Sequence, residues 1–238
     1  MANLQKGVLD KVQHFLEKKR ISYEVLIVDD GSVDGSVDFL KEFVRENSHF
    51  YLIKANHFGK AGAVTRGMMQ AQGEYVLFAD MDQATPIEEV DKLLPYCEDG
   101  YDIVIGSRGA VRKGAPWTRA LMGNGMIFLR SMIIGLKDIK DTQCGFKLFT
   151  RNAAQELFTK MNKLHLGFHK IGGSNVAAGF DVELLYIATL ADYKIKEVPV
   201  RWLYVETRRV NPVFDSIEGL RGLLQIKKKA ITGVYKKL

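Results

Sequence analysis

The chain has 238 residues, 47% of them apolar and 26% charged, with five prolines and two cysteines. That balance describes a folded α/β-sized domain long enough to bury a substantial core, and excludes disordered, fibrous and disulfide-stapled chains. The formal charge of +6 calls for an anionic partner, which charge alone leaves open between nucleic acid, phosphorylated substrate and acidic membrane face.

Leu4 to Lys19 places Leu4, Val8, Val12 and Phe15/Leu16 on one face, which predicts one amphipathic helix. Tyr23 to Val28 reads as a buried strand, closed by Asp29, Asp30, Gly31 and Ser32, with a helix from about Val37 to Asn47. A strand, an acidic turn with glycine and a helix make a nucleotide-binding βα unit in outline, although an ordinary capped turn has the same pattern. Phe50 to Lys54 is a further strand, and Asn56 to Arg66 is a glycine-containing loop opening a helix, where Lys60 and Arg66 either face phosphates or line a solvated helix face.

The stretch YVLFADMDQATP, Tyr75 to Pro86, concentrates the chemistry. An apolar run ends in Asp80 and Asp82, one residue apart, and two carboxylates at the carboxyl end of a buried strand can hold a divalent cation against a diphosphate. Read alone, the same acids could merely solvate the strand end, with Thr85 as N-cap of a helix near Pro86 and Glu88 and Glu89 in its first turn.

Glu88 to Tyr96 reads as helix and Tyr101 to Ile105 as strand, so strands alternate with helices as in a mostly parallel α/β sheet. A basic loop, Arg108 to Arg119, leads into Ala120 to Leu136, apolar except for Arg130, which fits a core helix better than a membrane-interface one. Asp141 to Phe149 ends in a short apolar strand, and the glycine-rich Gly167 to Gly179 is expected to be a mobile loop. Asp181 to Leu190 reads as helix, Ile195 to Val205 as strand, and residues 216–238 as a basic amphipathic helix following a single domain over residues 1–215. Cys97 and Cys144 lack metal-ligand spacing and read as free thiols of a reducing compartment. No run of about 18 apolar residues and no signal-peptide pattern is present, so a cytosolic or peripheral location is expected.

VDDGSVDGS (Val28 to Ser36), ADMDQAT (Ala79 to Thr85), GSR (Gly106 to Arg108), DTQCGFKLFTR (Asp141 to Arg151) and FDVELLYIA (Phe180 to Ala188) follow one another as in glycosyltransferase family 2, which the chain resembles from about Leu4 to beyond Arg209. Within that family it is similar to the branch that glucosylates dolichyl phosphate, and also to the polyprenol-phosphate mannosyltransferases. The resemblance implies a single-domain GT-A fold, a nucleotide-sugar donor (UDP-glucose or GDP-mannose), a polyprenyl phosphate acceptor, Mg²⁺ or Mn²⁺ as cofactor, and no nucleic-acid partner. DTQCGFK is the ground for preferring UDP-glucose.

Residue by residue, the resemblance puts Asp29, Asp30 and Ser32 near the nucleoside, Lys60 and Arg209 near the phosphates, and Asp80 and Asp82 on the metal. It puts Arg108 and Arg119 at the acceptor phosphate, and Asp141, Gln143 and Asp181 around the sugar. It further implies inverting transfer to an already anionic acceptor, by a protein lying on the cytosolic face of a membrane, the endoplasmic reticulum in a eukaryote or the plasma membrane in a prokaryote. Two departures stand out. The first strand of the family, with its base-clasping turn, is expected to be missing, which would weaken nucleotide affinity and leave a non-catalytic nucleotide-sugar binder as one alternative. Ala84 stands where the mannosyl members carry a metal-assisting glutamine, which here is Gln83. A GT-A enzyme acting on a saccharide would need a carboxylate base, for which Asp141 and Asp181 are the candidates. A phosphatase of the haloacid dehalogenase type shares the strand-DxD pattern but wants Thr or Val at Ala84.

Overall fold

The computed structural model describes residues 1, 3–109, 117–166, 168, 179–203 and 212–238, with the side chains of residues 117–124 and 212–216 left aside. The predicted glycine-rich loop therefore lies almost wholly outside the described residues, as do Arg209, the side chain of Arg119 and most of the basic loop.

Among the described residues, strands and helices alternate from β1 to β4. The elements are α1 (Val8–Lys19), β1 (Val25–Asp29), α2 (Ser36–Glu46), β2 (Phe50–Lys54), α3 (Gly59–Gln70), β3 (Tyr75–Ala79), α4 (Val90–Glu98) and β4 (Ile103–Ser107). There follow α5 (Trp117–Ile134), β5 (Phe146–Thr150), α6 (Arg151–Leu164), α7 (Phe180–Leu190), β6 (Ile195–Pro199) and α8 (Pro212–Ile231). β1 and β2 pair in parallel. A separate sheet has the order β3-β5-β4-β6, in which β5 runs against both neighbours while β4 and β6 are parallel. The α/β class with helices flanking the sheets is the expected one, and β5 is the antiparallel member.

Among the described residues no ladder joins the β1-β2 pair to the larger sheet. The core nevertheless links the two sheets. Leu77 of β3 packs against both the cluster of Leu93, Val104, Phe146 and Leu148 beneath α4 and the cluster of Leu9, Ile27, Leu40 and Phe50 beneath α1 and α2. The largest cluster lies on the other face, where Phe149, Phe158, Met161, Leu184 and Leu185 are fully buried.

Several expected elements change at their ends for local reasons. The first helix is interrupted at Gly7, whose φ of +67° is left-handed and separates a 3₁₀ turn, Leu4–Lys6, from α1. Thr85 is not an N-cap: Pro86 stands at that position of the 3₁₀ turn Ile87–Glu89, without a side-chain cap bond, and Thr85 is buried. β6 ends at Pro199, short of the expected Val205, and the last helix begins at Pro212 rather than Ser216. Proline tolerates a first helical turn because its missing N–H has no partner there in any case.

α7 is apolar nearly all round, and its two acids are both buried. Glu183 bonds Lys229 Nζ at 2.8 Å and Tyr235 Oη at 2.5 Å, and meets His165 Nε2 at 2.8 Å, which fastens the C-terminal segment onto α7. Burial pushes its pKa up, but these hydrogen bonds and the Lys229 charge outweigh burial and bring it to about 2. A carboxylate depressed in the folded state stabilises above its unfolded pKa and loses that contribution as pH falls through the folded one. Unfolding free energy should therefore decline from about pH 4.5 toward about pH 2, and Glu183→Gln should flatten that part of the profile. The substitution should also cost roughly 1–3 kcal/mol at neutral pH, read by urea titration.

Candidate active site

The register of β5 gathers the polar groups at one end of the larger sheet. Ala79 pairs with Phe146, so Asp80 falls beside Gly145 and donates its backbone N–H to the Gly145 carbonyl at 3.0 Å. Glycine leaves room for the acid there, since a Cβ on residue 145 would lie 1.8 Å from Asp80 Oδ2 and push that carboxylate aside. The turn after β3 is held by Asp82, whose Oδ1 accepts from Ala84 N at 3.0 Å, and by Gln83 in a left-handed conformation, φ +49°. Ala84 in turn accepts from Leu203 N at 2.7 Å, which ties the turn to the chain beyond β6.

Each acid at this end meets a specific donor. Lys60, in the first turn of α3, puts Nζ 2.6 Å from Asp80 Oδ1 and 5.3 Å from the centre of the Phe78 ring. Lys147 of β5 is fully buried and donates to Asp181 Oδ1 at 2.5 Å and to the Cys144 carbonyl at 2.6 Å, with the same Phe78 ring 5.4 Å away. Arg108, just past β4, grips Asp141 through Nε and Nη2, both at 2.7 Å, and adds its backbone N–H at 3.0 Å. Burial favours the neutral acid, but the Arg108 bonds and charge prevail and hold the Asp141 pKa below the usual carboxylate range.

The predicted nucleoside residues are built into the backbone of their loops. Asp29 is buried and accepts from Gly31 N at 3.1 Å and Ser32 N at 3.2 Å, leaving the Ser32 residue itself exposed. Asp30 accepts from Phe58 N and Gly59 N, both at 2.8 Å, so it caps α3 from another loop, and His57 Nδ1 lies 3.1 Å from it. Asp30 thereby joins the end of β1 to the helix that carries Lys60. Gln143 is exposed on the segment between Asp141 and β5. The structure thus pairs Lys60 with Asp80, on the turn that also carries Asp82, sets Asp181 of α7 against Lys147 of β5, and leaves Asp141 on the segment before β5.

Three residues of this region escape sequence reasoning. Lys147 goes unmentioned in the sequence reading of Asp141 to Phe149, although a lysine in a strand buried on both faces is itself a signal of a buried partner. Arg130 leaves the apolar face of α5 to donate to Thr142 Oγ1 at 3.0 Å and to the Ile139 carbonyl, which anchors the segment carrying Asp141. Glu197 of β6 accepts from Lys140 N at 2.7 Å and Asp141 N at 2.9 Å, fixing the same segment from the other side.

The donor set suits a hard divalent cation. Asp80 and Asp82 offer carboxylate oxygens on one turn, and among the described residues no three His, Cys, Asp or Glu side chains converge into a closed cage.

The family model for glycosyl transferase family 2 matches residues 3–158. The chain is 34% identical over 251 residues to the dolichyl-phosphate beta-glucosyltransferase of Drosophila melanogaster, covering 97% of this chain and 72% of that protein. It is 32% identical over 248 residues to the Dictyostelium discoideum protein of the same name, with the same two coverages, and 31% identical over 248 residues to the Homo sapiens one, covering 96% and 72%. An α/β fold with its acids gathered at strand ends, a family match over most of the chain and relatives at this identity lead to one statement: the chain belongs to glycosyltransferase family 2.

Proposed function

We propose that the protein transfers glucose from UDP-glucose to dolichyl phosphate or a related polyprenyl phosphate, with inversion at the anomeric carbon. The observation that carries this reading is the pairing of every candidate base with a cation. A saccharide hydroxyl needs a carboxylate to take its proton, yet Asp141 is gripped by Arg108 and lowered in pKa, and Asp181 is bonded to the buried Lys147. A phosphate acceptor is anionic already, so positioning and charge stabilisation suffice. The names of the relatives, dolichyl-phosphate beta-glucosyltransferases, support the same donor and acceptor.

Asp80 and Asp82 would hold Mg²⁺ or Mn²⁺, which supplies charge neutralisation for the departing diphosphate. Asp141 takes the Nε and Nη2 edge of Arg108, which leaves the Nη1 edge of the guanidinium for the acceptor phosphate. Asp29, Asp30 and Ser32 shape the nucleoside end through their loop bonds, and Arg119 and Arg209 remain candidates for phosphate contacts.

Membrane contact falls to two helices that pack together, α5 and α8. α5, which its sequence favours as a core helix, instead exposes Phe128 and Met132, and α8 exposes Leu224 and Ile231 beside Arg221, Lys227 and Lys228. Among the described residues no helix is long and apolar enough to cross a membrane. Apolar side chains ringed by cations suit a surface-bound protein, each cation near an anionic leaflet contributing about 1 kcal/mol.

The direct test is UDP release from UDP-glucose with and without a polyprenyl phosphate, against GDP-mannose as control donor. Release stimulated by the lipid with UDP-glucose alone is the expected result. Asp82→Asn should lower turnover by about a hundredfold or more, while changing stability by less than about 0.5 kcal/mol, as expected of a strand-end acid outside the core. Full activity in EDTA would refute the metal. Gly145→Ala should act similarly, because the new methyl group evicts the Asp80 carboxylate. Arg108→Lys keeps the charge but loses the fork. It should depress transfer to lipid phosphate by about tenfold or more while sparing slow donor hydrolysis, and equal loss of both activities would move Arg108 to the donor side.

A further inference from the structure

We infer that Lys60 is a resident counter-cation on Asp80 that makes metal binding depend on the nucleotide: it occupies the carboxylate until metal and diphosphate arrive together, then passes to the diphosphate. The inference rests on the metal-nucleotide reading of Asp80 and Asp82 proposed above, and adds an order and a residue to it.

Position comes first. The Lys60 ammonium sits 2.6 Å from Asp80 Oδ1, on the very carboxylate that would ligate the metal. Neither side chain is deeply buried, at 29% and 37% exposure, so the pair can open without disturbing the core. The Lys60 stem is unbranched and its ammonium lies 5.3 Å from the centre of the Phe78 ring, a weak attraction that a charged phosphate can outweigh. Lys60 also belongs to the first turn of α3, whose leading N–H groups are already taken by the Asp30 carboxylate. Among the described residues its ammonium is therefore paired with Asp80 alone, and a diphosphate bound beside Asp80 gives it an alternative partner.

Charge balance then sets the order. Lys147 and Asp181 neutralise one another, which leaves Asp80, Asp82 and Lys60 with a single net negative charge. A divalent cation alone would make the group net positive and would place a like charge against Lys60. The diphosphate of a nucleotide sugar, doubly ionised, cancels the divalent cation, so their joint arrival leaves the formal charge as it was. Lys60 thus penalises the bare metal and rewards the complex.

The test is Mn²⁺ binding, followed by the electron paramagnetic resonance signal of the free ion, with and without UDP. Wild type, Lys60→Met and Lys60→Arg are compared. Lys60→Met should bind Mn²⁺ alone about fivefold more tightly or better, because a competing ion pair is gone. In saturating Mn²⁺ it should bind UDP about tenfold more weakly, because a phosphate contact is gone. Lys60→Arg should stay near wild type in both. Opposite movements of the two affinities are a pattern that simple damage to the site does not produce. Unchanged or weakened binding of Mn²⁺ alone by Lys60→Met, with Mn²⁺-dependent UDP binding intact in wild type, overturns the exchange and leaves the proposed function standing. Absence of Mn²⁺-dependent UDP binding in wild type overturns both.

Discussion

The fully buried ammonium of Lys147 is the constraint on which the site depends. An unpaired charge at that depth would cost several kcal/mol, and its partners, Asp181 and the Cys144 carbonyl, exist on only one face of β5. Shifting the strand by one residue would turn Lys147 toward Leu93, Val104 and Val198, a face of apolar side chains with no acid to receive it. The pair therefore selects the register in which Lys147 stands opposite Phe78 and Phe146 opposite Ala79. That register puts Gly145, the residue without a Cβ, against Asp80. A buried ion pair adds little net stability, but here it decides where the metal-candidate acid sits.

The same economy governs the rest of the site. Asp30 is held by two N–H groups of α3, Asp80 by Lys60, Asp141 by Arg108 and Asp181 by Lys147. A site that receives a cation and two phosphorylated ligands, as proposed above, would be ill served by a large standing charge of either sign. Acids paired with lysines and an arginine give a nearly neutral resting state whose partners can be reassigned when ligands enter. The pairs differ in how easily they reassign: Lys147 is sealed in the core, Arg108 is mostly buried, and Lys60 is open to solvent.

Much of this was legible in the chain, for a physical reason that also marks the limit. Tyr75 to Ala79 reads as a strand because both of its faces need apolar cover, and the abrupt change to Asp80 and Asp82 marks where the cover ends. β1, β2, β4 and α3 follow from equally local signals. Pairings across long separations carry no such signal. Asp181 lies 34 residues beyond Lys147 and Asp141 lies 33 beyond Arg108, and nothing in either neighbourhood names the other. Thr85 shows the same limit: it is buried in the interior, and Pro86 stands at the N-cap position instead. The break at Gly7 was hidden because the apolar spacing continues through it, while the left-handed φ depends only on the missing side chain.

Glu183 extends the chain of pairs from the site to the surface. It sits two positions after Asp181 in the first turn of α7, and its partners His165, Lys229 and Tyr235 come from the end of α6, from α8 and from the 3₁₀ turn that follows α8. α8 packs in turn against α5, whose Arg130 holds the segment bearing Asp141. The two helices that expose apolar side chains are thus joined by short polar links to the elements that carry Asp141 and Asp181. In the membrane arrangement proposed above, a lipid acceptor would reach from a bilayer to those acids, and the two helices would fix its distance from them. Rigid connection, rather than a flexible tether, is what such a geometry requires, because a misplacement of about 1 Å at the reacting atoms can cost about a hundredfold in rate.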